Sequence, residues 1–158
     1  MDDRVARFVE RMGLFTEADG WPRIAGRIFG FLLVQPGECS LDDMAAALGV
    51  SKASISTDTR RLEQLGFLER TSRPGDRRDY YGISRDVVPR SLEVRLERMR
   101  RFHELLDEAR SLPTRNTTVR QRLDDLEAAH LHMVEAVVGL LQLWKEKAGT
   151  NARSARHA

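Results

Sequence analysis

Cysteine is nearly absent: Cys39 stands alone in 158 residues. One thiol excludes an internal disulfide and suits a reducing compartment. Aromatic residues make up only 6% of the chain, so an aromatic ligand cage has few members to draw on. The longest apolar run, Ile28 to Val34, is far too short to span a bilayer. The opening Met-Asp-Asp-Arg has neither the basic start nor the apolar core of a signal peptide. A cytoplasmic protein is therefore expected. Large net charge is missing too. Twenty-six basic residues face 24 acidic ones, a formal +2, so any nucleic-acid contact must rest on local charge. The chain also lacks a Gly-rich phosphate loop, a nucleophile with a base, or a paired-carboxylate site, and no enzyme is expected.

Charged residues reach 32% and hydrophobic ones 41%. That balance fits one small domain with helical extensions. Arginine far outnumbers lysine, a bias that either phosphate recognition or a GC-rich genome explains. Val5, Phe8, Val9, Met12 and Phe15 recur at helical spacing after Asp2 and Asp3. A second helix opens near Pro22, carries Ile24, Ile28, Phe31 and Leu32 on one face, and ends at Pro36-Gly37. Gly26 and Gly30, four apart, predict a close helix contact. Ser40 caps a short helix that Gly49 stops. Beyond Gly66, two short strands are predicted over Phe67–Thr71 and Tyr80–Ser84, with Pro74-Gly75 in the loop between them. The remainder reads as two long helices, Asp86–Leu112 and Thr117–Lys147. On the second, Val119, Leu123, Leu126, His130, Met133, Val137, Leu140 and Trp144 alternate by four and three, a heptad seam.

The segment "GVSKASISTDTRRLEQLGFLER" puts Ser51, Ser54, Ser56, Thr57 and Thr59 at the start of a helix that also carries Arg60 and Arg61. Serine and threonine are mediocre helix formers. On a helical wheel Ile55, Thr59 and Leu62 face the core. The opposite arc holds Ala53, Ser54, Thr57, Arg60 and Arg61, with Ser56 at its edge. Short hydroxyls at a helix N-terminus permit close approach to a DNA backbone, and arginines reach guanine or phosphate bidentately. Asp42-Asp43 and Ala45–Ala47 ahead of it suit the first helix of a helix-turn-helix. The loop "TSRPGDRRD" after it adds Arg73, Arg77 and Arg78, a wing able to enter a minor groove.

From Ser40 to Ser84, "LGVSKASISTDTRRLEQLGFLER" followed by "GDRRDYYGIS" resembles the winged helix-turn-helix of MarR-type transcription regulators. Asp76-Arg77-Arg78 matches the Asp-x-Arg wing motif of that family. The match makes Arg78 the minor-groove finger and Asp76 the residue that orients it. "GWPRIAGRIFGFLL" looks more narrowly like the GbsR/MarR subgroup, whose best-known members repress osmoprotectant genes and respond to choline. The resemblance implies a mainly α fold with a small β-hairpin wing, and a homodimer on a pseudo-palindromic operator in double-stranded DNA. It implies N-terminal dimerisation and support helices over 1–37, a DNA-binding domain over 38–85, dimerisation helices over 86–148 and a flexible tail over 149–158. Ser51, Lys52, Ser54, Ser56, Thr57, Arg60, Arg61, Arg73, Arg77 and Arg78 are the expected DNA contacts. Val5, Phe8, Met12, Leu123, Leu126, Met133, Val137, Leu140 and Trp144 are the expected dimer contacts. Such a protein acts most readily as a repressor, and a small-molecule effector is a further expected partner.

Bland alternatives attend several of these residues. Arg60 and Arg61 also suit ion pairs with Glu63 or Glu69, and Asp58 suits a local salt bridge. A winged helix without DNA function, serving as a protein-interaction module, is the rival for the whole. Cys39 lies just before a helix start, where a thiol pKa falls, yet it has no basic neighbour in sequence. His103, His130 and His132 raise a metal, but His130 and His132, two apart, cannot aim at one ion and no acidic or cysteine cluster stands at ligand spacing, so a satisfied or register-setting histidine is expected and no metal. Trp21, Phe29 and Phe102 are candidates for an effector pocket, although aromatics at helical spacing usually fill a core.

Overall fold

A computed structural model describes the backbone of residues 1–154 and the side chains of residues 1–147. Residues 155–158, the end of the expected tail, lie outside it. The chain divides into two compact units, Met1–Val87 and Val88 onward.

The first unit is built by capping and by two close helix approaches. Helix α1 (Asp3–Ala18) starts on Asp2, whose side chain accepts from the Arg4 amide. Helix α2 (Arg23–Leu33) follows Pro22 and ends at Val34, before the expected Pro36-Gly37 stop. The amides of Val34 and Gln35 close its last turn on Phe31 and Leu32. Gly26 and Gly30 lie against α1, as their spacing predicts: a Cβ on Gly30 would meet Met12 Cβ at 2.8 Å. Strand β1 (Cys39–Ser40) leads into α3 (Leu41–Leu48), which opens on a reciprocal capping box between Ser40 and Asp43. Those hydrogen bonds hold the Asp43 carboxyl below its usual range. Gly49, at φ 63°, ends α3 in the left-handed region.

Helix α4 (Lys52–Gln64) then starts on Ser51, which accepts from the Ser54 amide. Its end explains a shift in the hairpin. Gly66 takes φ 74°, its amide bonds to Glu63, and the Phe67 amide reaches back to Leu62 at 2.9 Å. Phe67 thus closes the helix and cannot open the strand. Strand β2 runs Leu68–Ser72 and β3 Asp79–Ile83, each offset by one residue from the sequence expectation. The antiparallel order is β1-β3-β2, with β1 a third strand that the sequence does not predict. Its register pairs Ser40 with Tyr80 and Cys39 with Tyr81.

The core of this unit joins Val9, Ile28, Phe31, Met44, Leu48, Ile55, Leu62, Leu68 and Tyr81. It crosses the 37/38 boundary drawn from sequence. Helices α1 and α2 therefore share one core with α3, α4 and the sheet. Arg27 bridges it: its Nε pairs with Glu10 at 2.6 Å and its Nη2 donates to the Leu48 carbonyl at 2.8 Å.

Asp58 departs from expectation. It is 7% exposed, and among the described residues no ion pair reaches it. Burial pushes its pKa up, opposed only by the field of Arg61. A raised folded-state pKa means that stability is gained as pH falls through that value, and that the bare charge is destabilising above it. Asp58→Asn is expected to raise the melting temperature near neutrality by a few degrees, the gain shrinking towards about pH 4. Thermal melts across that range check it. A lower melting temperature at neutral pH would show that the charged form has a stabilising partner.

The second unit holds α5 (Val87–Ser111 in full) and α6 (Thr117–Ser154). Helix α6 thus continues to Ser154 through most of the stretch assigned to a tail. Glu93 near the start of α5 pairs with Lys145 near the end of α6, and Arg110 near the end of α5 with Asp124 and Glu127, so the helices run antiparallel. The single seam drawn from sequence splits in two. Leu123, His130 and Val137 turn toward α5, joined by Glu127, Val134 and buried Leu141. Val119, Leu126, Met133 and Leu140, every seventh residue, stay 37–50% exposed, as does Trp144 at 42%. By length and composition Thr117–Lys147 is apolar enough to cross a membrane, which the short run at Ile28–Val34 does not foretell.

Candidate nucleic-acid interface

The surface of α4 is sorted as the wheel predicts. Ile55, Thr59 and Leu62 are buried; Ser51, Lys52, Thr57, Arg60 and Arg61 are exposed, and Ser54 and Ser56 half-buried. The hydroxyls at its start are already ordered. Ser51 and Ser54 Oγ lie 2.9 Å apart, and Thr57 Oγ1 donates to the Ala53 carbonyl at 3.0 Å. Each keeps lone pairs and faces solvent beside the positive end of the helix. Neither Arg60 nor Arg61 forms an ion pair among the described residues. Glu63, the first alternative partner, pairs with Arg70 at 3.5 Å. Glu69, the second, accepts from Ser84 Oγ at 2.8 Å and the Arg85 amide at 3.0 Å, bonds that lower its pKa. Both guanidinium groups remain available. Lys52 is exposed but paired, its ammonium meeting Asp42 at 2.8 Å. That exposed pair is weak, so the charge is tethered to α3 without being lost to DNA.

The wing is better organised than its sequence reveals. Asp76 accepts the backbone amide of Arg78 at 2.9 Å, its Nε at 3.1 Å and its Nη2 at 2.7 Å. This grip holds the Asp76 carboxyl far below its usual range and raises Arg78 further. It occupies one edge of the guanidinium and leaves Nη1 pointing onward, so the Asp-x-Arg pair is in place. Tyr80 Oη donates to Asp76 Oδ2 at 2.7 Å, and Arg73 stacks on the Tyr80 ring at 3.7 Å. Sequence reasoning misses Tyr80. The available signal was its position, four residues after Asp76 at a strand start amid arginines. Arg77 is exposed and makes no ion pair among the described residues.

Other candidates fall elsewhere. The Cys39 thiol is half-buried, and burial, then Asp43, raises its pKa despite Arg73. The helix start beside it therefore does not activate it. Trp21 and Phe29 close on Phe67, with ring centroids at 5.5 and 6.3 Å, while Phe102 belongs to the second unit. Val5 and Phe8 pack against the core of their own unit, and Met12 against Gly30. The exposed apolar side chains of α1 are instead Leu14 and Phe15. His130 is 2% exposed and its Nε2 has no partner among the described residues, so it is not the satisfied core histidine expected. It stacks on His103 and meets the edge of Phe102. Potential ligand atoms of His103, Asp107 and Glu127 gather within 4.8 Å of one another, a grouping that spans two helices and is illegible in sequence. Arg110 already pairs with Glu127 there.

A model of the MarR family matches residues 19–79. The HTH-type transcriptional regulator MmpR5 of Mycobacterium tuberculosis is 32% identical over 147 residues, covering 92% of this chain and 89% of its own length. The chain belongs to the MarR family. It is a DNA-binding transcription regulator on a winged helix-turn-helix. A crystal structure described as a transcriptional regulator shares 32% identity at a TM-score of 0.71, covering 90% of this chain and 99% of that one. The putative HTH-type transcriptional regulator YvaV of Bacillus subtilis is 28% identical over half of this chain and 45% of its own length. By name these relatives are transcriptional regulators, and the matching family model is that of the MarR family as a whole.

Proposed function

We propose that this MarR-family chain acts in the cytoplasm as a homodimeric, sequence-reading repressor. In this reading the two α4 helices enter successive major grooves and the wings flank them. The observation that carries it is the pair Arg60 and Arg61, exposed and unpaired on a helix whose opposite face is fixed in the core. Ser54 and Thr57 complete the reading surface, and Lys52, Arg73, Arg77 and Arg78 supply phosphate and minor-groove contacts. Half-sites then lie about 10 base pairs apart or at a multiple of that.

The exposed heptad row Val119, Leu126, Met133 and Leu140 supports the dimer. Leu131, Val138 and Leu143 are exposed outside that row, so the apolar surface is wide, and a second copy laid along the helix would cover the row. A small-molecule effector fits this scheme only through unequal affinity for two dimer states.

In-vitro selection of genomic DNA fragments with purified protein, at fixed physiological salt, tests the reading. Recovery of an inverted repeat supports it; diffuse recovery favours a protein-interaction module. Introducing Leu126→Glu with Met133→Glu should convert a dimer to a monomer by light scattering and abolish binding to the full repeat. A variant that remains dimeric would move the interface off this row.

A further inference from the structure

We propose that Tyr80 is the positioning residue of the wing, fixing Arg78 through Asp76 by its hydroxyl and seating Arg73 on its ring. The inference rests on the proposed role of the wing in DNA binding.

Three features single Tyr80 out. It is buried at 4% exposure in β3, the middle strand, and is paired on both sides, with Ser40 and with Thr71. Its backbone is therefore among the firmest points near the wing tip. The hydroxyl reaches Asp76 Oδ2 at 2.7 Å, the oxygen that also takes Arg78 Nη2 at 2.7 Å. Asp76 itself lies in the loop, outside the ladder. Without the tyrosine, the Asp76–Arg78 clamp would be a rigid pair on a mobile support. The ring face meanwhile carries the Arg73 guanidinium at 3.7 Å, with that of Arg78 farther out at 5.4 Å. One side chain thus sets two arginines from opposite sides of the loop. A carboxylate–arginine pair alone fixes a local angle; linking it to the central strand fixes where the arginine stands relative to α4.

The two functions separate by chemistry. Tyr80→Phe deletes the hydroxyl and keeps the ring. It should therefore uncouple Arg78 and leave Arg73 in place. The full chain is titrated on the selected operator with A·T-rich flanks, as wild type, Tyr80→Phe, Arg78→Ala, Arg73→Ala, and each arginine variant combined with Tyr80→Phe. Tyr80→Phe alone is expected to weaken binding about fivefold, the worth of one hydrogen bond, and to reduce the preference for A·T flanks. Combined with Arg78→Ala it should add nothing further, whereas its effect should multiply with that of Arg73→Ala. In the free protein, the Arg78 Nε–H resonance should lose its protection from solvent exchange in Tyr80→Phe, with the melting temperature held.

Independent effects of Tyr80→Phe and Arg78→Ala would overturn the positioning role and leave the wing contact standing. So would unchanged binding and unchanged Nε–H protection in Tyr80→Phe. If Arg78→Ala itself left affinity and flank preference intact, the wing reading would fall and this inference with it.

Discussion

Replacing both Arg60 and Arg61 with alanine is expected to cost about 30-fold or more in operator affinity per half-site, and to erase most of the preference for the selected sequence. A bidentate arginine–base contact is worth about 1–3 kcal/mol of discrimination, so two of them give at least about 2 kcal/mol. The reason for expecting so large a change is structural. Both guanidinium groups are exposed, and their plausible internal partners are engaged elsewhere, Glu63 with Arg70 and Glu69 with Ser84. Removing them breaks no ion pair among the described residues, but it withdraws the Arg61 field from buried Asp58, so a small fall in melting temperature is expected near neutral pH. Non-specific affinity and salt slope distinguish the roles. A phosphate-only contact lowers affinity on every sequence and cuts the slope by about one unit. Base reading lowers affinity chiefly on the operator. Retention of both affinity and sequence preference in the double variant would remove α4 as the reading helix.

Gly26→Val should be the most damaging substitution to the fold, at about 3 kcal/mol, the upper end of overpacking effects. A Cβ at Gly26 would stand 1.8 Å from Thr16 Oγ1 and 3.0 Å from both Gly13 Cα and the Met12 carbonyl. Two of those atoms are backbone and cannot swing aside. Thr16 is held as well, its hydroxyl lying 3.1 Å from the carbonyls of Met12 and Gly13. Helix α1 would have to lift from α2. At roughly 4–8 °C per kcal/mol for a unit of this size, a melting-temperature drop of about 12–24 °C follows. Gly37→Ala, whose Cβ would meet nothing within 4 Å and whose φ is ordinary, serves as the neutral control. Equal melting temperatures for the two variants would mean that α1 does not depend on this close approach.

The helices and their limits were legible wherever a local rule governs them. Asp2, Ser40 and Gly49 mark helix limits in sequence and cap helices in structure, while Ser51, read in sequence only as a DNA-contact hydroxyl, caps α4 as well. So was the polar arc of α4, because helical periodicity alone separates Ile55 and Leu62 from Arg60 and Arg61. Strand β1 was not legible: two residues carry no period, and they become a strand only because Tyr80 and Tyr81 are brought alongside. The hairpin start at Leu68 depended on a backbone bond from Phe67 to Leu62, invisible to residue patterns. In the second unit, heptad spacing correctly marked an apolar helix but could not say which half of the seam α5 would cover. The site divides likewise. Asp76 and Arg78 follow a motif two residues apart, whereas Tyr80, Arg73 and the Lys52–Asp42 pair meet through the turn of the chain.

Arg27 clasps two elements of the first unit that lie far apart in sequence. Its one guanidinium touches the acid of Glu10 on α1 and the carbonyl of Leu48, the last residue of α3, just before the turn that launches α4. Arg27 thus ties α1 to the end of α3, beside the core that α1 and α4 already share through Val9 and Ile55. Lysine would not substitute, since one ammonium lacks the fork that satisfies two acceptors in fixed directions. The N-terminal helix is thereby fastened to the helix-turn-helix at a polar point as well as through its core.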